Sequence, residues 1–218
     1  MTDEQILARK MNTVLQAFME EAHTMFRYLA EAYDLFMKGN GDGVNTLILK
    51  ADETVFKKLL SHKHAMTTEA ARAYSVLPLG VEYVRACLLI WDAACIAKRI
   101  IQKLEGMTRR NWVEKTSFGD SIGLITLSLL REFELLLKLV PVGSGEKSVR
   151  NMGGIDEQFA QTTRYIDSVN KLLLNEIDKS PPLTVLYNLT GDLEEISKKI
   201  LEAAEYITLI ASADFPVG

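Results

Sequence analysis

Leu7, Met11, Val14, Phe18, Ala22, Met25, Leu29, Tyr33 and Phe36 recur along the start of the chain at steps of four and three. Their mean step is about 3.6 residues, the repeat of an α-helix with one apolar face. Glu20, Glu31, Asp34 and Lys38 fall between them, on the polar side. The pattern predicts a helix to about Lys38, stopped by Gly39-Asn40-Gly41-Asp42-Gly43, where glycine supplies turn geometry. A helix of about 35 residues is about 50 Å long, a length that suits a bundle.

The same reading predicts a second helix over about 44–74, with Leu47, Leu49, Val55, Phe56, Leu59 and Leu60 as core candidates. Leu77-Pro78-Leu79 interrupts it, and Pro78 is placed to start a third helix, where a missing N–H costs nothing. That helix carries Val81, Val84, Leu88, Trp91, Cys95, Ile96 and Ile100 inward and ends near Leu104, with a connector beginning at Gly106-Met107-Thr108. Ser117 and Asp120 resemble a helix start, and a strongly apolar fourth helix follows over 122–140, ended by Pro141. A fifth is expected over about 155–177, and Pro181-Pro182-Leu183 opens a sixth that ends near Ile210. Pro78-Leu79 and Pro182-Leu183 lie 104 residues apart, each after a long second helix, which suggests internal duplication. Strand-like alternation is nowhere sustained. The expected fold is all-α: six long helices as two tandem three-helix repeats, over 1–106 and 116–218, with 107–115 as connector.

Composition narrows the function more than the fold. The 218 residues are 48% hydrophobic and 25% charged, which excludes general disorder. A net charge of −4 argues against nucleic-acid binding, which needs a basic face, and leaves protein or small-molecule partners. The longest uncharged stretch, 180–191, contains two prolines and is too short to span a bilayer, which needs roughly 18 apolar residues. Cys87 and Cys95 share one expected helix and stand about 12 Å apart along it, beyond disulfide reach. With an acidic start and no secretory core after Met1, the expectation is a reduced, cytoplasmic protein.

Motifs for catalysis are thin. Glu20 and His23 form one Glu-x-x-His pair, whereas a ferritin-like di-iron site uses two, and neither His62 nor His64 has a carboxylate three residues before it. Gly119-Asp120-Ser121-Ile122-Gly123 matches the letters of a nucleophile elbow, but no strand precedes it and the last histidine, His64, lies upstream. Asn40-Gly41-Asp42-Gly43 reads as a turn, because Val44 stands where a calcium loop needs a ligand. Phosphate-binding glycine patterns and zinc-type cysteine spacing are absent from the sequence.

The most informative segment is Asp192-Leu193-Glu194-Glu195-Ile196-Ser197-Lys198-Lys199, continuing to Ala203-Ala204-Glu205-Tyr206-Ile207. It resembles the last-helix signature of the PhoU family of phosphate-uptake regulators, in which D-L-E-R-I-G-D is followed by N-I-A-E-Y-I. Asp192, Leu193, Glu194, Ile196, Ala204, Glu205, Tyr206 and Ile207 match it. The resemblance implies a cytoplasmic, non-enzymatic homodimer that binds a phosphate transporter or its sensor kinase, reaching the membrane only through those partners. It also implies iron or zinc clusters on Glu/Asp-x-x-x-Asp pairs, whose carboxylates lie one turn apart on one helix face.

This sequence departs from that metal pattern. The second helices read Asp52-x-x-x-Phe56 and Thr163-x-x-x-Asp167, and the last helix reads Glu194-x-x-x-Lys198. The third helix keeps Asp92 alone. The expectation is weak or missing clusters, with Asp167 and Glu194 as ligands of one weakly bound iron or zinc ion and lesser claims for Asp52 and Asp92. Glu20-Glu21 and Glu194-Glu195 are candidate contact surfaces. The competing readings are a carboxylate- and histidine-bridged oxidoreductase built on Glu20 and His23, and a helical adaptor unrelated to phosphate.

Overall fold

At the end of the first helix the backbone must reverse, and Gly39 does this at a φ of 69°. Its N–H donates to the carbonyl of Phe36 and that of Asn40 to Leu35, both at 2.9 Å, a Schellman closure that satisfies the last carbonyls. Asn40 then caps the next helix, its side-chain oxygen accepting from Gly43 N–H at 2.9 Å. The glycine-rich segment is a hinge between helices.

In this computed structural model, residues 3–73, 79–110, 117–140, 152–176 and 181–212 are described. They form α1 (Asp3–Met37), α2 (Gly41–Lys50, a π-helical turn Ala51–Val55, then Phe56–Ala73), α3 (Gly80–Arg109), α4 (Ser117–Leu137), α5 (Gly153–Glu176) and α6 (Pro181–Ser212). Among the described residues there is no strand, and the fold is all-α with six helices. Pro78, Pro141 and the 143–145 loop lie outside the described residues.

Helices α1, α2 and α3 pack on one another, as do α4, α5 and α6. The two groups join through α1 against α4 and, most extensively, α3 against α6. All six contribute to one apolar cluster. In α1 the expected stripe is the buried face from Met11 to Phe36, except that Leu7 and Val14 are half-buried.

Three expectations change. In α3 Ile96 and Ile100 are buried as expected, beside Tyr83, Ala86, Ile90, Ala93, Ala94, Ala97, Ile101 and Leu104, whereas Val81 and Leu88 are exposed and Val84, Trp91 and Cys95 half-buried. Alanines hold four of these inward positions, so residue size alone does not mark the buried face of this helix. In α2, Leu49 and Leu60 face solvent. Its buried positions Leu47, Ala51, Val55 and Leu59 recur every four residues, a longer period than 3.6, and the π-helical turn absorbs the excess. Helix α3 also continues through Gly106 to Arg109, because Met107 and Thr108 are buried and the Thr108 hydroxyl donates to Leu104 O at 2.9 Å.

Gly119 and Gly123 sit in the first turns of α4, where α1 crosses it. A Cβ on Gly119 would stand 2.3 Å from the Met37 methyl, and one on Gly123 would stand 3.4 Å from the Tyr33 ring. The Tyr33 hydroxyl donates to Gly119 O at 2.8 Å. These glycines serve helix packing, and among the described residues no strand precedes the Gly-x-Ser-x-Gly letters.

Candidate functional site

The acids singled out from the sequence lie on α2, α3, α5 and α6, and the structure gives three of the four a lysine. Asp52, in the π-helical turn, pairs with Lys98 of α3. Asp92 pairs with Lys199 of α6 at 3.6 Å, and Glu194 with Lys198 at 2.6 Å. Asp167 is exposed on α5. A bond from the Thr190 hydroxyl to the Asn170 side chain joins α5 to α6, with Asp167 one turn before Asn170 and Glu194 one turn after Thr190. Among the described residues, no group of three or more His, Cys, Asp or Glu side chains is placed to hold a metal.

On the first half, the place of a second carboxylate is taken by an aromatic stack. Phe56 packs edge-on against Trp91, with ring centroids 5.7 Å apart. Lys98 Nζ lies 4.8 Å from the Phe56 ring and Lys63 Nζ 4.5 Å from the Trp91 ring. The negative ring faces attract these ammoniums, and Asp52 neutralises one of them. A carboxylate-bridged cation cluster needs uncompensated acids facing one another, and here tethered ammoniums occupy that role. The donor set does not fit such a cluster.

On the second half, Lys103, Asn170, Tyr187, Asp192 and Glu194 line an open polar depression of about 460 Å³. Asp192 is the anchor of its wall. It accepts from Arg99 Nη2 at 2.9 Å and from Lys103, joining α6 to α3. The first acid of the signature-like segment is therefore an internal strut.

The other chemical candidates are also accounted for. Gln16 Nε2 donates to Glu20 at 3.2 Å, and His23 stacks on Phe133 with centroids 6.2 Å apart. Burial lowers the His23 pKa, with Glu134 raising and Arg27 lowering it to a smaller extent. Its Nε2 has no partner among the described residues. Burial pushes the Cys87 thiol up to about 12, so it stays protonated at neutral pH. Of the candidate contact acids, Glu21 takes Lys58 at 2.7 Å, and Glu195 lies 3.8 Å from Lys199.

Sequence reasoning missed Asp192 as a strut, the Lys98–Phe56–Trp91–Lys63 stack, and a carboxyl at Glu132 that is 1% exposed. The last was visible in principle. Ile122, Ile125, Leu129, Glu132 and Leu136 follow helical spacing, which places Glu132 on the buried stripe.

The fold is a helical bundle in which Asp52, Asp92, Glu194 and Asp192 are engaged in ion pairs. No protein-family model matches the sequence, and no curated protein matches it. Solved structures do match in shape. One, from Shewanella oneidensis MR-1 and described as a PhoU-like phosphate regulatory protein, superposes with a TM-score of 0.70 at 10% identity, covering 92% of this chain and 98% of its own. A second PhoU-like protein from the same organism gives 0.67 at 10% identity, covering 91% and 98%. The chain has the PhoU-like fold.

Proposed function

We propose that this chain is a non-enzymatic regulatory protein that binds a phosphate transporter or its sensor kinase and modulates phosphate uptake. The observation that carries the reading is the PhoU-like fold over more than nine-tenths of the chain, with one neighbour described as a phosphate regulatory protein. The Asp192–Ile207 segment, which resembles the PhoU signature, supports it from the sequence side. A chain with no helix apolar and long enough to cross a membrane, among the described residues, reaches the membrane through its partners. In this reading it works in the cytoplasm as a homodimer of chains, each with two tandem three-helix repeats over 1–106 and 116–218.

The mechanism is association through helix faces, with no bond chemistry. Asp52, Asp92 and Glu194 carry lysine partners, so metal bridging is not the source of control. At most, Asp167 and Glu194 hold one weakly bound ion, and the bundle does not depend on it. Glu20 and His23 lack the further carboxylates that an oxidoreductase would need, among the described residues.

Labelled phosphate uptake into native cells with and without the chain tests the proposal. Altered uptake or altered induction of the phosphate-starvation response, restored by re-expression, is expected. Identical uptake and induction in both strains would overturn it.

A further inference from the structure

Glu132 is buried where α4 meets α5 and α6, with no cationic partner among the described residues. The Ser197 hydroxyl of α6 lies 2.8 Å and 3.0 Å from its two carboxyl oxygens, so its single proton is shared between them. Thr162 of α5 also hydrogen-bonds this carboxyl. Behind Thr162 a polar file continues toward the surface. Ser128 Oγ lies 2.8 Å from Thr162 Oγ1, and Gln158 Nε2 donates to Ser128 Oγ at 2.7 Å. Ser128 and Thr162 are buried, and Gln158 is half-buried.

The directions in this file are constrained. An amide N–H can only donate, so Gln158 fills an acceptor site on Ser128 and leaves that hydroxyl free to donate onward. Ser128 then donates to Thr162, and Thr162 to the Glu132 carboxylate. When Glu132 gains a proton, its new O–H donates to Thr162 or Ser197. The Thr162 hydroxyl turns to the Gln158 carbonyl, 3.0 Å away. Both protonation states keep their hydrogen bonds without any helix moving. The two differ in burying, or not burying, a net charge.

We propose that Glu132 and its hydroxyl file make the α4–α5–α6 half a proton-responsive unit, which is stabilised when one proton is taken up and destabilised when it is released. Burial is the main cause that raises the carboxyl pKa, to about 7, with the Thr162 and Ser197 hydrogen bonds opposing it. The folded state therefore binds the proton more tightly than an unfolded chain, where a glutamate titrates near its reference value of 4.5. The contribution is fully present below the unfolded value and is lost as pH rises through the folded one.

Other charged or ionisable groups face this region. From α1, His23 stacks on Phe133 and interacts with Glu134 and Arg27. Its lowered pKa gives stability that grows as pH rises, opposite in sign to Glu132. On α4 itself Arg131 pairs with Glu134 at 3.0 Å. From α6 the charges beside Ser197 are Glu194, Glu195, Lys198 and Lys199, paired with one another. From α5, Thr162 is the group that touches Glu132, and the nearby charges Arg164 and Asp167 are exposed. A difference between matched variants isolates the Glu132 contribution.

The test compares urea unfolding of the wild type and Glu132→Gln between pH 5 and 8. Relative to the variant, the wild-type unfolding constant is expected to rise by one to two orders of magnitude across that span, following roughly 2.5 pH units of pKa difference. Glu132→Gln should be the more stable protein at pH 8. Parallel pH profiles would overturn the proposal. Ser197→Ala removes a donor to the charged form and should move the wild-type step to higher pH, whereas a purely structural loss would lower stability equally at every pH. Carboxyl-carbon NMR of the wild type needs no variant: one glutamate titrating near neutrality is expected, and all of them titrating below about pH 5 would refute it.

Discussion

Replacing Asp192 with asparagine keeps the size of the side chain and removes its charge from the seam between α3 and α6. Asp192 is 14% exposed, while its partners Arg99 and Lys103 are 53% and 33% exposed. A net hydrogen bond to a charged group contributes about 1.5–3 kcal/mol, whereas a fully exposed ion pair contributes about 0–1 kcal/mol. Two such contacts to half-wetted cations fall between those limits, and Asp192→Asn should cost about 1–2 kcal/mol in total. For a protein of this size that lowers the thermal midpoint by roughly 3–6 °C. Glu194→Gln is the matched control, since Glu194 and Lys198 are 36% and 57% exposed and one turn apart in the same helix. It should cost no more than about 0.5 kcal/mol. Urea unfolding followed by circular dichroism at low and high salt measures both, and salt should shrink the Asp192 effect only partly because the carboxylate is shielded. An Asp192→Asn protein as stable as the wild type, or a Glu194→Gln protein that is equally destabilised, would refute the assignment of Asp192 as the strut.

Tyr33→Phe removes the hydroxyl that donates to Gly119 O and should cost about 1 kcal/mol by calorimetry. Phe18→Ala, at a position with 0% exposure, should cost about 3–5 kcal/mol, and a much smaller loss would contradict the packing of α1. Lys98→Glu places a second carboxylate against Asp52, so it should destabilise the protein, and a millimolar divalent cation should restore part of the loss. Recovery no better than with monovalent salt would show that Lys98 does not stand in for a bridging ion. Elemental analysis of purified wild type should find iron and zinc well below one per chain, and stoichiometric metal would favour the oxidoreductase reading.

Helix number and type were legible in the sequence because long helices repeat their pattern many times. The face of α1 from Met11 to Phe36 shows this well. Phase was legible only where burial follows size. In α3 several inward positions are alanines, Ala86, Ala93 and Ala97 among them, so a reading that follows large residues finds Ile96 and Ile100 but also takes in the exposed Val81 and Leu88. In α2 the four-residue spacing of Leu47, Ala51, Val55 and Leu59 held the signal of the π-helical turn, which a 3.6-residue template averages away. The missing carboxylates of the metal pattern could be read residue by residue. Their replacement could not, because Asp52 with Lys98, Asp92 with Lys199 and Asp192 with Arg99 each join residues far apart in sequence. Only the i,i+4 pair of Glu194 and Lys198 was local enough to be seen in advance.

Association with a phosphate-transport or phosphate-signalling partner is the claim on which the account turns. It is tested most directly by affinity capture of the tagged full chain from its native cells, under phosphate-replete and phosphate-starved conditions, with quantitative mass spectrometry. Enrichment of a phosphate transporter subunit or its sensor kinase over an untagged control is the predicted result. Recovery of unrelated proteins alone, under both conditions, would contradict it.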